Sequence, residues 1–146
     1  MITNNITTAT NPTELKNLLR DWILDIDREE TLPREIIALN FNIYEETIDI
    51  DRPSDNTNWA YFIDLIGSPR FDEEDEDWAC DDDDTFEPNK RMGPKWTYPK
   101  EIEWEEVEEE IGRVLLELIT ELHDLPLFQI EHIAFGHNDG TLTIIK

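Results

Sequence analysis

Apolar residues recur at helical spacing in two stretches of this chain and alternate at strand spacing in several others. In the first helical stretch, Leu15, Leu18, Leu19, Trp22, Ile23 and Ile26 share one face through about residue 28. Asn11-Pro12-Thr13-Glu14 stands before them: an N-cap residue, a proline for the first helical position, and a glutamate three residues after the cap. A helix is predicted from Pro12. The second stretch, residues 101–123, carries Trp104, Val107, Ile111, Leu115, Leu118 and Leu122 as a stripe, widened by Val114 and Ile119 and closed by Pro126.

Strand patterns lie between and after the helices. In residues 36–45, IIALNFNIYE, the residues Ile37, Leu39, Phe41 and Ile43 fall on one face and Asn40 and Asn42 on the other. Residues 59–67, WAYFIDLIG, are apolar on both faces, as in a central strand. The turn-rich DRPSDNTN between them predicts an antiparallel hairpin, with ETIDIDRP either extending the first strand or opening the loop. IEHIAFGH and GTLTIIK flank His137-Asn138-Asp139-Gly140, a second hairpin signal.

Residues 68–99 show no period and contain Pro69, Pro88, Gly93, Pro94 and Pro99, so a long acidic loop is predicted there. Trp78, Phe86, Trp96 and Tyr98 argue that it is partly ordered, because disordered segments are poor in aromatic rings. The expected fold is α+β within a single domain, 1–146: a small antiparallel sheet of about four strands with two helices packed on it. The expected order is α-β-β-long loop-α-β-β.

Charge distinguishes this chain more than composition does. The 146 residues hold 36 acids and 12 bases, a net charge of −24. Residues 71–110 alone hold 18 acids against four bases (Lys90, Arg91, Lys95, Lys100). Such a chain lacks the Lys/Arg clusters that bind nucleic acid or anionic lipid by counterion release. It favours a basic partner, a cation, or solubility. The start, MITNNITTATNPTEL, has neither the basic nor the apolar region of a signal peptide, no membrane span is present, and one cysteine suits a reducing compartment. A cytoplasmic protein is expected; nothing in the pattern sets its oligomeric state.

Few residues point to catalysis. Cys80 is surrounded by carboxylates, which hold a thiol protonated rather than activate it. His123, His132 and His137 lack metal-ligand spacing, no glycine-rich phosphate loop or nucleophile elbow is present, and no carboxylate pair stands out for glycosidase chemistry. The acids of the run are consecutive with no glycine among them, unlike a calcium-binding loop. A non-enzyme without cofactor or dedicated metal site is expected.

The run itself, DEEDEDWACDDDD, places ten carboxylates in thirteen positions. An extended chain advances about 3.3 Å per residue, close to the roughly 3.4 Å between phosphates of one DNA strand, so an extended run would present charge at nucleic-acid-like spacing. Trp78 in its middle has two readings. It is a hot-spot ring for a partner, or WAC is a staple folding back onto the sheet. The whole run also has the plain reading of a solvated loop. Near the second helix start, part of the Glu cluster complements the helix dipole, but Glu105–Glu109 and Glu106–Glu110 are like-charge pairs one turn apart.

The succession Gly67-Ser68, Phe71, the acidic run, Trp78-Ala79-Cys80, further acids and Phe86-Glu87-Pro88 resembles small acidic bacterial immunity proteins of polymorphic toxin and contact-dependent growth inhibition systems. The resemblance implies a stoichiometric inhibitor of a cognate toxin domain, often a basic nuclease. The contact residues expected from charge are Asp72, Glu73, Glu74, Asp75, Glu76, Asp77, Trp78, Asp81, Asp82, Asp83 and Asp84, with Glu103, Glu106 and Glu110 as a second patch. The alternatives are a nucleic-acid mimic of phage type that blocks a host DNA-binding protein, and an acidic cation-binding scaffold protein.

Overall fold

Asn11 starts the first helix as its sequence predicts: its side-chain oxygen accepts the Glu14 backbone N–H at 2.9 Å, and Pro12 occupies the first turn. Helix α1 (Pro12–Glu29) then buries Leu15, Leu19, Trp22, Ile23 and Ile26. Helix α2 (Trp104–Glu121) buries Val107, Ile111, Val114, Leu115, Leu118 and Ile119. Lys16 bridges Glu117 and Glu121 across the two helices, and Arg20 adds a second contact to Glu121 at 2.8 Å. The computed structural model describes residues 8–9, 11–47, 59–79, 85–98, 103–137 and 142–146.

Both helices lie on one face of a mixed sheet. Its strands are β1 (Thr8–Ala9), β2 (Ala38–Thr47), β3 (Trp59–Ser68), β4 (Met92–Tyr98), β5 (His132–His137) and β6 (Thr143–Ile144), ordered β1-β4-β3-β2-β5-β6. The α+β class is as expected, and so are the two antiparallel hairpin pairings, β2 with β3 and β5 with β6. The sheet departs from the expected four antiparallel strands in two ways. Among the described residues it has six strands, and β2 with β5 and β1 with β4 pair in parallel. The long path from β3 back through α2 brings β5 in beside β2 running the same way. The two hairpin turns, and the end of ETIDIDRP, lie outside the described residues.

The predicted loop at 68–99 contains a strand. Pairing of β3 with β4 runs Phe62↔Lys95 and then Asp64↔Met92, so Gly93 and Pro94 together oppose a single residue. A bulge is where a strand tolerates proline, which has no ladder donor to offer. Gly93 is also required by packing, since a Cβ there would lie 3.0 Å from the Trp22 ring and 2.8 Å from Ile63. The Trp22 indole N–H donates to the Lys90 carbonyl at 2.6 Å, while Lys90 Nζ reaches Glu29 at 2.8 Å and Asp25 at 3.3 Å. Helix α1 therefore fixes the entry to β4.

Strand alternation gives the sheet two unlike faces. Leu39, Phe41, Ile43, Tyr61, Ile63, Leu65, Trp96, Ile133 and Phe135 join both helices in the main core. Asn40, Asn42 and Asp64 point to the opposite face, yet all three are buried. The polar side of the strand pattern is thus not a solvent face, because the chain beyond Ser68 folds back over it. Ile37 precedes the strand and packs against the small cluster on that second face, not beside Leu39. Among the described residues no helix is long and apolar enough to cross a membrane.

Candidate functional site

The described part of the acidic segment, through Ala79, is folded. Ser68 Oγ accepts the Arg70 N–H at 3.1 Å; Asp72 Oδ1 accepts the Glu74 N–H at 2.9 Å and its carbonyl accepts the Asp75 N–H at 3.3 Å. These are side-chain-supported turns of the kind short polar residues favour. A 3-10 helix, Glu76–Ala79, follows. Such a helix rises only about 2 Å per residue. The described half of the run is therefore not extended, and the phosphate-like spacing expected of it does not hold there.

Trp78 is 4% exposed and Ala79 9%, packed with Ala38 and Ala134 on the second face of the sheet. Phe71 tilts against Trp78 at a ring separation of 5.1 Å and stacks on His132 at 3.7 Å. Of its two readings Trp78 takes the staple. Its ring faces Ala38 and Ala134, whose small side chains leave room for an indole, so it is no partner contact in this fold. After the segment, Phe86 forms a two-way backbone bridge with Gly67 at 2.8 and 2.9 Å, pinning the return of the chain.

The carboxylates divide accordingly. Asp72, Glu73, Glu74 and Asp75 are exposed. Glu76 and Asp77 belong to the 3-10 turn, and Cys80 with Asp81, Asp82, Asp83 and Asp84 lies outside the described residues. Glu103 and Glu106 are exposed on α2 and Glu110 is half-buried. Because α2 covers the first face of the sheet and the described part of the acidic segment the second, Asp72–Asp75 stand on a different surface from Glu103, Glu106 and Glu110. Among the described residues no group of three or more His, Cys, Asp or Glu side chains is placed to hold a metal ion.

Beneath this segment runs a hydrogen-bonded polar chain. Asn40 Nδ2 donates to Asn42 Oδ1 at 2.7 Å, and Asn42 Nδ2 to Asp64 Oδ1 at 2.9 Å. The Tyr44 hydroxyl and Arg91 Nε both donate to Asp64 Oδ2, at 3.1 and 3.0 Å. Arg91 continues outward to Glu87 at 2.8 Å. Burial, and then the Asp64 charge, push the Tyr44 phenol up to about 12. The chain is a satisfied scaffold with one loose end, the buried Asn40 Oδ1, which has no hydrogen-bond partner among the described residues. A phenol held protonated beside a paired carboxylate supplies no general base.

A third feature is not evident from the linear sequence. Between α2 and the β5–β6 edge lies a groove of about 500 Å³, lined by Glu105, Glu108, Glu109, Gly112, Leu116, Phe135 and residues 143–145. Leu116 is 53% exposed and Ile144 39%, two of the three large apolar side chains that stand out in solvent among the described residues. The chain does carry partial signals: a leucine off the core stripe, a glycine inside a helix, and the like-charge pair Glu105–Glu109. They lie at helical spacing on one side of α2, and only the packing of β5 and β6 beside that helix turns them into a groove. No protein-family model, curated protein or solved structure gives a significant match to this chain.

Proposed function

We propose that this chain is a non-catalytic binding protein that neutralises a cationic protein partner by direct contact, as an immunity protein does for a basic, nuclease-type toxin. The observation that supports this reading most is the exposed Asp72–Asp75 turn, tied to the sheet through the buried Trp78. Carboxylates on a fastened turn lose less freedom on binding than those of a free tail, so more of each contact survives as affinity. Their charge, within a chain of net −24, speeds and orients encounter with a basic surface.

The test starts by capturing the tagged protein's binder from its native host and identifying it by mass spectrometry. The expected binder is a basic protein whose toxicity is abolished at one inhibitor per toxin. Glu73→Lys with Glu74→Lys should weaken the complex without unfolding the inhibitor, since both side chains are exposed. A neutral or acidic binder, or a complex indifferent to the double reversal, would overturn the reading.

A further inference from the structure

We infer that the groove between α2 and the β5–β6 edge is a docking site for a protein segment that places lysine or arginine beside a bulky apolar residue. The inference rests on the partner reading above and gives that partner's contact segment a chemistry.

Apolar atoms form the floor. Phe135 lines its base, with Leu116, 53% exposed, on the α2 side and the half-buried Ile145 on the strand side. Water covers these side chains at a cost that an apolar partner residue would remove. Gly112 lets helix and strand approach: a Cβ there would lie 2.6 Å from the Phe135 ring tip. Interior glycine weakens a helix by about 1 kcal/mol relative to alanine. The close approach of α2 to β5 thus has a helix-propensity cost.

Acids form the rim. Glu105 and Glu109 are exposed one helical turn apart and Glu108 is half-buried beside them, all three lining the same opening. Like charges at this spacing disfavour the free helix. A lysine or arginine between Glu105 and Glu109 relieves the repulsion, and its aliphatic stem lies along the apolar floor. Neither half suits another occupant. A purely apolar segment leaves Glu105 and Glu109 facing one another, and a purely cationic one leaves Leu116 in water. The opening lies at the sheet edge, where β6 is the last strand, so a partner segment reaches it without displacing any described element.

The experiment uses the intact protein and three short synthetic peptides of equal length: alternating lysine and leucine, oligolysine, and alternating glutamate and leucine. Binding is followed by NMR shifts. The lysine–leucine peptide should bind saturably and move the resonances of Gly112, Leu116, Phe135 and Ile145. Oligolysine should bind more weakly without moving them, and the glutamate–leucine peptide should not bind. Leu116→Ser should weaken the lysine–leucine peptide roughly tenfold, from the apolar area lost. The pair Glu105→Gln and Glu109→Gln should weaken it a few-fold, as rim charges do. All three positions are exposed, so the fold is kept, and circular dichroism verifies that.

Oligolysine binding as well as the mixed peptide would mean bare charge recognition. That result would remove the groove and leave the acidic-surface reading standing. The groove is likewise removed if the mixed peptide fails while the captured native partner still binds, or if its shifts fall on Asp72–Asp75. Equal binding of the glutamate–leucine peptide would show that charge plays no part here and would also overturn the inference. Failure of native partner and cationic peptides alike would remove both readings.

Discussion

Arg91 Nε donates to Asp64 Oδ2 across 3.0 Å, and Asp64 is only 2% exposed. A carboxylate in that position is tolerated because every charge-stabilising neighbour is in place: Arg91 from the segment entering β4, and Asn42 and Tyr44 from β2. The ion pair thereby joins the middle of the sheet to the segment that returns across its second face. Arg91→Ala should destabilise the protein by about 2–3 kcal/mol, the cost of leaving a buried charge with weaker partners. Urea unfolding measures this, and a loss within the error of the extrapolation would show that Asp64 finds other donors.

Tyr44 supplies a pH test of the same network. Its phenol has an ordinary value of 10.0 and is pushed up to about 12, by burial first and then by Asp64. The folded protein therefore holds this proton more tightly than the unfolded chain. The associated stabilisation is complete below pH 10.0 and is lost as pH rises toward about 12. Ultraviolet titration should show a late-ionising tyrosine that is absent in Tyr44→Phe. A Tyr44→Phe difference spectrum that titrates near the ordinary value would contradict the described packing.

Trp78 belongs to the fold, so its loss should be read first in stability. Trp78→Ala removes a ring that is 4% exposed, and the expected cost is about 3–5 kcal/mol for a buried aromatic truncated to alanine. Thermal or urea denaturation of the isolated protein checks it. Unchanged stability with impaired partner binding would return Trp78 to the role of a contact residue.

Gly112→Ala pits helix propensity against space. Alanine is favoured in a helix by about 1 kcal/mol, but the added methyl would meet the buried Phe135 ring at 2.6 Å. Overpacking of this kind costs about 1–3 kcal/mol, so a net loss is expected. In a Phe135→Leu background the same substitution should become neutral or favourable. A double-mutant cycle reads the coupling, and additivity would show that the ring moves aside freely.

Local chemistry made the helices legible: Asn11, Pro12 and the Leu15–Ile26 face are sufficient to start and orient α1, and the Val107–Leu118 stripe does the same for α2. Alternation around Leu39, Phe41 and Ile43 identified β2 in the same way. Three things were not local. Strand β4 hid behind Gly93 and Pro94, whose breaker chemistry is absorbed by a bulge that exists only once β3 is alongside. The parallel pairing of β2 with β5 joins Ala38 to His132, and no residue near either one encodes it. Asn40 and Asn42 read the same whether water or a returning segment covers them. Trp78 was ambiguous for the same reason, since the alanines that receive it, Ala38 and Ala134, lie far apart in sequence and meet only when β2 and β5 pair. The acidic surface was legible as charge, but its division between opposite faces of the sheet followed only from where the segment after Ser68 turns.

Exposed carboxylates should guide a basic protein partner onto this surface, and stopped-flow association with the captured partner across a salt series reads that guidance. At physiological ionic strength charges are screened over about 8 Å. The rate should therefore fall on the order of tenfold or more from low to high salt, with a shallower fall for the Glu73→Lys, Glu74→Lys variant. A rate that stays flat with salt, or an identical profile for the variant, would show that these carboxylates do not steer the encounter.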